Sequence, residues 1–331
     1  MKIAVIGAGA IGALVAGYLS QQGVMVTLIG KEKDVAAIGG SGLKVEGVRG
    51  SFVIPVKVAS RLEGSNDLVI LAVKTQDIVA TMKINASALA NTSVLTVQNG
   101  VRAEDLLTEF VPRDKIISSI VMFGATYLEP GKVVHNFEGD WILGKAFTPD
   151  GGTLAPISEL LANAFPTPVT DNIGGMKWLK LFLNMNNCLT ALTGKSMQET
   201  FAEIETSELS IRLWQEALMV VDQAGIRLES LPDFPVDRLR GLTAMPIAEA
   251  GKIYSQIMTG LSKEPLYGSI LQSIKRGRPS EIDYLNGEIV RLGEGLAVPT
   301  PLNKMMVALV HRVENTGEFL KPKDILREVG V

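Results

Sequence analysis

The sequence predicts an α/β fold: an N-terminal Rossmann-type, doubly wound sheet followed by an all-α C-terminal domain. Three observations carry that expectation. The run IAVI at residues 3–6 opens directly into a glycine-rich turn and then a small-residue helical pattern. Short apolar runs without alternation recur between helical patterns up to about residue 145, as in strands buried on both faces. From about residue 174 onward, strand patterns give way to long amphipathic ones.

Taken in order, KIAVI (2–6) reads as a buried strand, 11–22 as a helix and VMVTLI (24–29) as a second strand. LKVEG and SFVIPVKV, around 43–58, suggest a short hairpin excursion. DLVILAVK (67–74) is a further buried strand, TQDIVATMKINASALA a helix, and TSVLTVQ (92–98) a strand ending at Asn99-Gly100. After KIISSIVMF (115–123), a Pro-Gly turn between alternating runs in ATYLEPGKVVHNF predicts a hairpin, and WILGK (141–145) a last strand. Helical patterns then cover 174–194, 199–224, 246–260, 267–277, 281–294 and 301–314, with a proline-containing connection at 232–245. The boundary is placed near Pro166–Asp171, giving a dinucleotide-binding domain over 1–168 and a helical domain over 169–331.

Composition narrows the function classes. The 331 residues carry 32 Lys and Arg against 35 Asp and Glu, a net charge of −3 that gives no electrostatic reason to expect nucleic acid or an anionic membrane as partner. One cysteine excludes an intramolecular disulfide and a cysteine-based zinc site; with only two histidines, no metal site is expected. A cytoplasmic setting is the default. The apolar start MKIAVIGAGAIGALVAGYL has the look of a signal peptide, but glycines at regular positions after a β-branched run favour a folded strand and turn.

Gly7-Ala8-Gly9-Ala10-Ile11-Gly12 matches G-x-G-x-x-G between a strand and a helix. Gly7 permits the tight turn, Gly9 lets backbone approach a pyrophosphate, and Gly12 lets the helix pack closely on the strand. The helix N-terminus offers free N–H groups and a positive dipole end. The second strand ends in TLIGKEK, with Gly30 and Lys31 where an NAD site usually carries an acid. A missing carboxylate beside an ammonium favours NADP; Glu32 lies one residue further, and Lys31 and Lys33 also read as exposed loop charges. Lys74 and Asn99 close two strands at the carboxyl edge, where such sheets bind ligands.

In MKWLKLFLNMNNCLTALTG (176–194), Lys177, Lys180, Asn184, Asn187 and Ala191 fall on one helical stripe, while Trp178, Leu181, Phe182, Met185, Leu189 and Leu192 take the other side. Such a donor-rich line suits a cleft that receives a carboxylate or carbonyl; it equally describes the solvent face of an amphipathic helix.

These motifs, with VKTQD, VQNG, W-x-K-L-x-x-N at 178–184 and SEIDYLNG at 280–287, resemble the ketopantoate reductase (2-dehydropantoate 2-reductase) family in order and from the first strand to about residue 310. The resemblance implies NADPH-dependent reduction of a small-molecule 2-oxo acid to a 2-hydroxy acid for pantothenate synthesis. It implies Lys180 as catalytic lysine, Glu281 as essential acid, Asn184 and Ser269 as substrate-binding residues, and Lys74 and Asn99 flanking nicotinamide and substrate. The helical domain is thereby assigned to substrate binding and dimerisation, with a homodimer as the expected assembly. Two departures bear on the substrate. The family's second asparagine position is Cys188 here, with Asn187 beside it, and Leu266 stands where well-known members carry another asparagine. A reductase of another 2-oxo acid or of an imine, and a non-catalytic NADP-binding protein, are the alternatives.

Overall fold

A computed structural model describes residues 1–89, 92–147 and 153–330. The chain forms two compact units: residues 1–98 with 102–174, and residues 99–101 with 175–331.

The strands of the first unit are β1 (Ile3–Ile6), β2 (Val26–Ile29), β3 (Leu43–Gly47), β4 (Phe52–Ile54), β5 (Lys57–Ala59), β6 (Leu68–Leu71), β7 (Ser93–Thr96), β8 (Ile116–Val121), β9 (Gly124–Glu129), β10 (Lys132–Phe137) and β11 (Trp141–Lys145). Seven of them build one sheet in the order β11-β8-β7-β6-β1-β2-β5. Every pairing is parallel except β11 on β8. Strand order reverses at β1, which pairs with β2 on one side and β6 on the other, so the chain segments after β1 and β6 diverge there. All four residues of β1 and of β6 are buried, which explains why both read as continuous apolar runs.

The other four strands form a second sheet, β4-β3-β10-β9. The hairpins expected around 43–58 and 125–137 are present as β3–β4 and β9–β10, but a parallel β3–β10 pairing fuses them, and Lys57–Ala59 leaves the first to join the large sheet as β5. Helix Ala10–Gln21 lies in the apolar core that both sheets share. A Cβ on Gly17 of that helix would stand 2.8 Å from the Val45 side chain, so the small residues of the helix let the second sheet approach. On the opposite face of the large sheet, Ile78, Met82 and Leu89 of helix Ile78–Leu89 close a separate core with Ala103 and Leu107.

The second unit is helical. Its central helix, Ile204–Gln223, buries Leu209, Leu213, Trp214, Val220 and Val221. The Glu216 carboxylate accepts from the backbone N–H groups of Leu302 and Asn303 at 2.9 and 2.8 Å, placing negative charge at the start of helix Pro301–Thr316. Four stretches depart from the expectation. The pattern at 199–224 is two helices, Met197–Phe201 and Ile204–Gln223, and 281–294 is a 3-10 turn, Ile282–Tyr284, followed by helix Asn286–Leu296. The proline-containing connection at 232–245 contains a helix, Val236–Ala244. The pattern at 174–194 is not one helix but two, Ile173–Met185 and Asn187–Thr193, separated at Asn186. No helix of the described residues is long and apolar enough to cross a membrane.

Candidate active site

In the first unit the glycine-rich turn has a distinct physical reason for each glycine. Gly7 has φ +115°, and a Cβ there would come within 2.7 Å of the Ala72 backbone. Gly12 is tighter still, because its Cβ would stand 2.0 Å from the Gly7 carbonyl oxygen. Gly9 differs from both: nothing lies within 4 Å of where its Cβ would be, and it caps the helix from Ala10 with ordinary negative φ. Packing and backbone conformation therefore demand Gly7 and Gly12, whereas open space lies over Gly9. The N–H groups of Ala10, Ile11 and Gly12 belong to the first helical turn, whose amides have no partner within the helix. This cradle fits a dinucleotide pyrophosphate.

Lys31 is exposed and is the residue that opens helix Glu32–Ser41. Lys74 is partly buried and begins the 3-10 turn Thr75–Asp77, whose Asp77 N–H returns to the Lys74 carbonyl. Gln98 stabilises this edge: its Nε2 donates to the carbonyls of Leu71 and Val73 at 2.7 and 2.8 Å, tying the exit of β7 to that of β6. Nothing in the TSVLTVQ pattern distinguishes Gln98 from a strand-end residue, so its role emerges only from the fold.

In the second unit, helix Ile173–Met185 carries Lys177, Lys180 and Asn184. Lys180 is partly buried, and its amine is pushed down to about 8, first by burial and then by the neighbouring charge of Lys177. Asn184 lies one helical turn further, and its Nδ2 is 3.4 Å from the Asn99 Oδ1. Asn99 is held in turn by Gly100, which has φ +83° and packs so closely on Tyr284 that a Cβ would lie 2.4 Å from its carbonyl oxygen. Tyr284 ends the 3-10 turn Ile282–Tyr284, and Glu281 is the residue that opens it. Asn99, Asn184 and the segment bearing Glu281 are thus joined through named contacts. From the far side, the Trp214 indole N–H donates to the Phe182 carbonyl at 2.7 Å and fixes the helix.

The expected stripe does not run through to Ala191. Asn186 turns inward, donating from Nδ2 to the Tyr254 hydroxyl at 2.9 Å, and the helix stops there. Asn187 consequently opens a separate helix, and Ala191 is core. Lys177 is also buried, contrary to a reading that places the whole stripe on an open face. Asn187 is brought near Ser269 by another route. A Cβ on Gly268 would stand 3.0 Å from the Asn187 Oδ1 and 2.8 Å from the Thr190 Oγ1, so Gly268 lets this segment sit on helix Asn187–Thr193. Ser269 follows, exposed, as the first residue of helix Ser269–Lys275. Cys188 is fully buried with the Asn286 amide nitrogen 3.8 Å from its sulfur, and burial pushes its thiol up to about 12. It is a core residue. Among the described residues no group of three or more His, Cys, Asp or Glu could hold a metal ion.

Comparison with known proteins places this geometry in a family. The Ketopantoate reductase PanE/ApbA model matches residues 3–146, and the model of its C-terminal part matches residues 172–314. The chain belongs to the ketopantoate reductase family. A Pyrococcus horikoshii 2-dehydropantoate 2-reductase is 29% identical, the match covering 96% of this chain and 99% of that one. An Aquifex aeolicus protein of the same name is 28% identical, covering 95% and 97%. Among solved structures, a ketopantoate reductase from Ralstonia eutropha superposes with a TM-score of 0.80 at 29% identity, covering 95% of this chain and 99% of that one. A D-mandelate dehydrogenase solved with NADH and anilino(oxo)acetate superposes with a TM-score of 0.83 at 26% identity, covering 96% and 99%. Membership in this family makes the chain an oxidoreductase that acts on a CH–OH group.

Proposed function

We propose that this enzyme reduces 2-dehydropantoate to pantoate with NADPH, the reductive step of pantothenate biosynthesis, in the cytoplasm. The observation that carries the reading is Lys180: a partly buried amine pushed down to about 8, one helical turn from an asparagine bonded to Asn99. At pH 7 about nine in ten such amines are protonated, and each gives up its proton far more readily than a solvated lysine. The bound dinucleotide would supply a hydride to the ketone carbon. Negative charge then develops on the ketone oxygen, where the Lys180 ammonium stabilises it and delivers the proton. Glu281 holds the substrate hydroxyl, while Asn184, Asn187 and Ser269 donate to the remaining oxygens. Lys74 and Asn99 flank the nicotinamide. Residues 7–12 hold the pyrophosphate, and Lys31 reads the 2′-phosphate. Residues 1–168 serve the cofactor; residues 169–331 serve the substrate and pair two copies of the chain.

The test is NADPH oxidation with 2-dehydropantoate, by wild type and Lys180→Ala. Loss of nearly all turnover in the variant supports the reading; near wild-type kcat overturns it. A second reading has a specific observation in its favour. Cys188 is core and Leu266 is apolar, so two amides of the family pattern are missing, and a structural relative was solved with anilino(oxo)acetate. A bulkier, more apolar 2-oxo acid is the substrate that reading predicts, and kcat/KM across a panel of 2-oxo acids, with and without amines, decides between them.

A further inference from the structure

At the end of β2 the chain carries no carboxylate in the position that reads a ribose 2′-hydroxyl in NAD-type sites. Packing dictates this. A Cβ on Gly30 would stand 2.8 Å from the Ala8 Cβ and 2.9 Å from the Asp34 Cβ, so residue 30 has no room for any side chain. The buried carboxylate of this segment is Asp34, in the first turn of helix Glu32–Ser41. Both of its oxygens are engaged. The Tyr127 hydroxyl donates to Oδ1 at 2.8 Å, and the Lys31 backbone N–H donates to Oδ2 at 3.0 Å.

Tyr127 comes from β9, in the other sheet. Its hydroxyl oxygen accepts from the Gly131 N–H at 3.2 Å, so the β9–β10 turn is tied into the same chain of bonds. That turn also rests on the helix, since a Cβ on Gly131 would meet the Ala37 Cβ at 3.4 Å. Burial and the Asp34 charge push the Tyr127 phenol up to about 12, which keeps it a donor across the working pH range.

We propose that Tyr127 is a positioning residue for cofactor discrimination: by occupying Asp34 from the second sheet, it leaves Lys31, and not the Asp34 carboxylate, to meet the ribose 2′ position of the dinucleotide. The inference rests on the reading that Lys31 selects NADP. Without the Tyr127 hydroxyl, a buried carboxylate keeps one donor and seeks another. A ribose 2′-hydroxyl satisfies it, whereas a 2′-phosphate is repelled.

Calorimetric titration of the full chain with NADP+ and with NAD+, without substrate, tests this. Wild type is expected to bind NADP+ more tightly, and Lys31→Ala to lose most of that preference. Tyr127→Phe is expected to reduce the Kd ratio, NAD+ over NADP+, by about tenfold, the worth of one hydrogen bond to a charged group. Tyr127→Phe with Asp34→Asn removes the charge and is expected to recover most of the ratio, which a merely structural role for Tyr127 would not produce. Equal weakening of both cofactors by Tyr127→Phe, an unchanged ratio, or a further fall in the double variant overturns the inference while leaving the NADP reading intact. A wild type that prefers NAD+, or a Lys31→Ala variant that keeps its preference, overturns the NADP reading itself.

Discussion

The pH dependence of reduction follows from one helix. Lys180 sits at about 8 instead of the ordinary 10.5, a bias of about 3 kcal/mol against its ammonium form. Burial is the larger cause and the charge of Lys177 the smaller. Lys177 therefore accounts for the smaller part of the bias. If protonated Lys180 delivers the proton, kcat/KM for reduction falls as pH rises through about 8, and oxidation of the 2-hydroxy acid rises across the same interval. Lys177→Met keeps the length and apolar stem of the side chain and removes its charge together with its N–H donors, so the limb should move to higher pH, by up to about one unit. The assay is initial-rate NADPH oxidation from pH 6 to 10 at saturating cofactor, with melting curves to show that the variant is folded. A limb that stays in place or moves to lower pH refutes the assignment of Lys180 as the titrating group, as does a wild-type limb near 10.5.

The glycine-rich turn supplies a contrast between neighbours. Gly12→Ala drives a methyl into the Gly7 carbonyl and should lower the melting temperature together with dinucleotide affinity; Gly9→Ala enters open space and should leave melting unchanged while raising the Kd measured by calorimetry. Trp214→Phe keeps the ring in its aromatic contacts but strips the Phe182 carbonyl of its donor, so chemical denaturation should show a loss of about 1–3 kcal/mol. Two histidines shape stability in opposite senses. His135 is buried against Tyr18 and its pKa is lowered, chiefly by burial, so the unfolded chain binds its proton first and stability falls as pH drops below about 6.5. His311 bonds Asp283 and Glu314 and its pKa is raised, so its contribution is full below about 6.5 and fades as pH rises through the folded value. Denaturation at pH 5, 6.5 and 8 should show His311→Gln altering the lower two points and converging with wild type at the highest.

What was legible in the sequence divides according to how far each residue's partner lies along the chain. The central strands and the glycine-rich turn were readable because burial on both faces and close backbone approach act on neighbouring residues. The second sheet was readable only as separate hairpins, since its joining β3–β10 pairing unites residues 44–47 with 132–135. Asp34 is not legible in the sequence because EKD looks like surface charge, and its Tyr127 partner is 93 residues away. The roles proposed for Lys180, Glu281 and Ser269 rest on family resemblance, whereas periodicity alone does not tell a cleft from a solvent face. The helix bearing Lys180 shows why. Three of the polar side chains that interrupt this apolar run each meet a different environment: the Lys180 amine sits in partial burial beside a second lysine, Asn184 reaches Asn99, and Asn186 turns to Tyr254 where the helix ends. Their spacing is local, but their partners lie up to 85 residues away. A polar residue within an apolar run is therefore a demand for a partner, and only the fold decides whether that partner is substrate, another loop or the core.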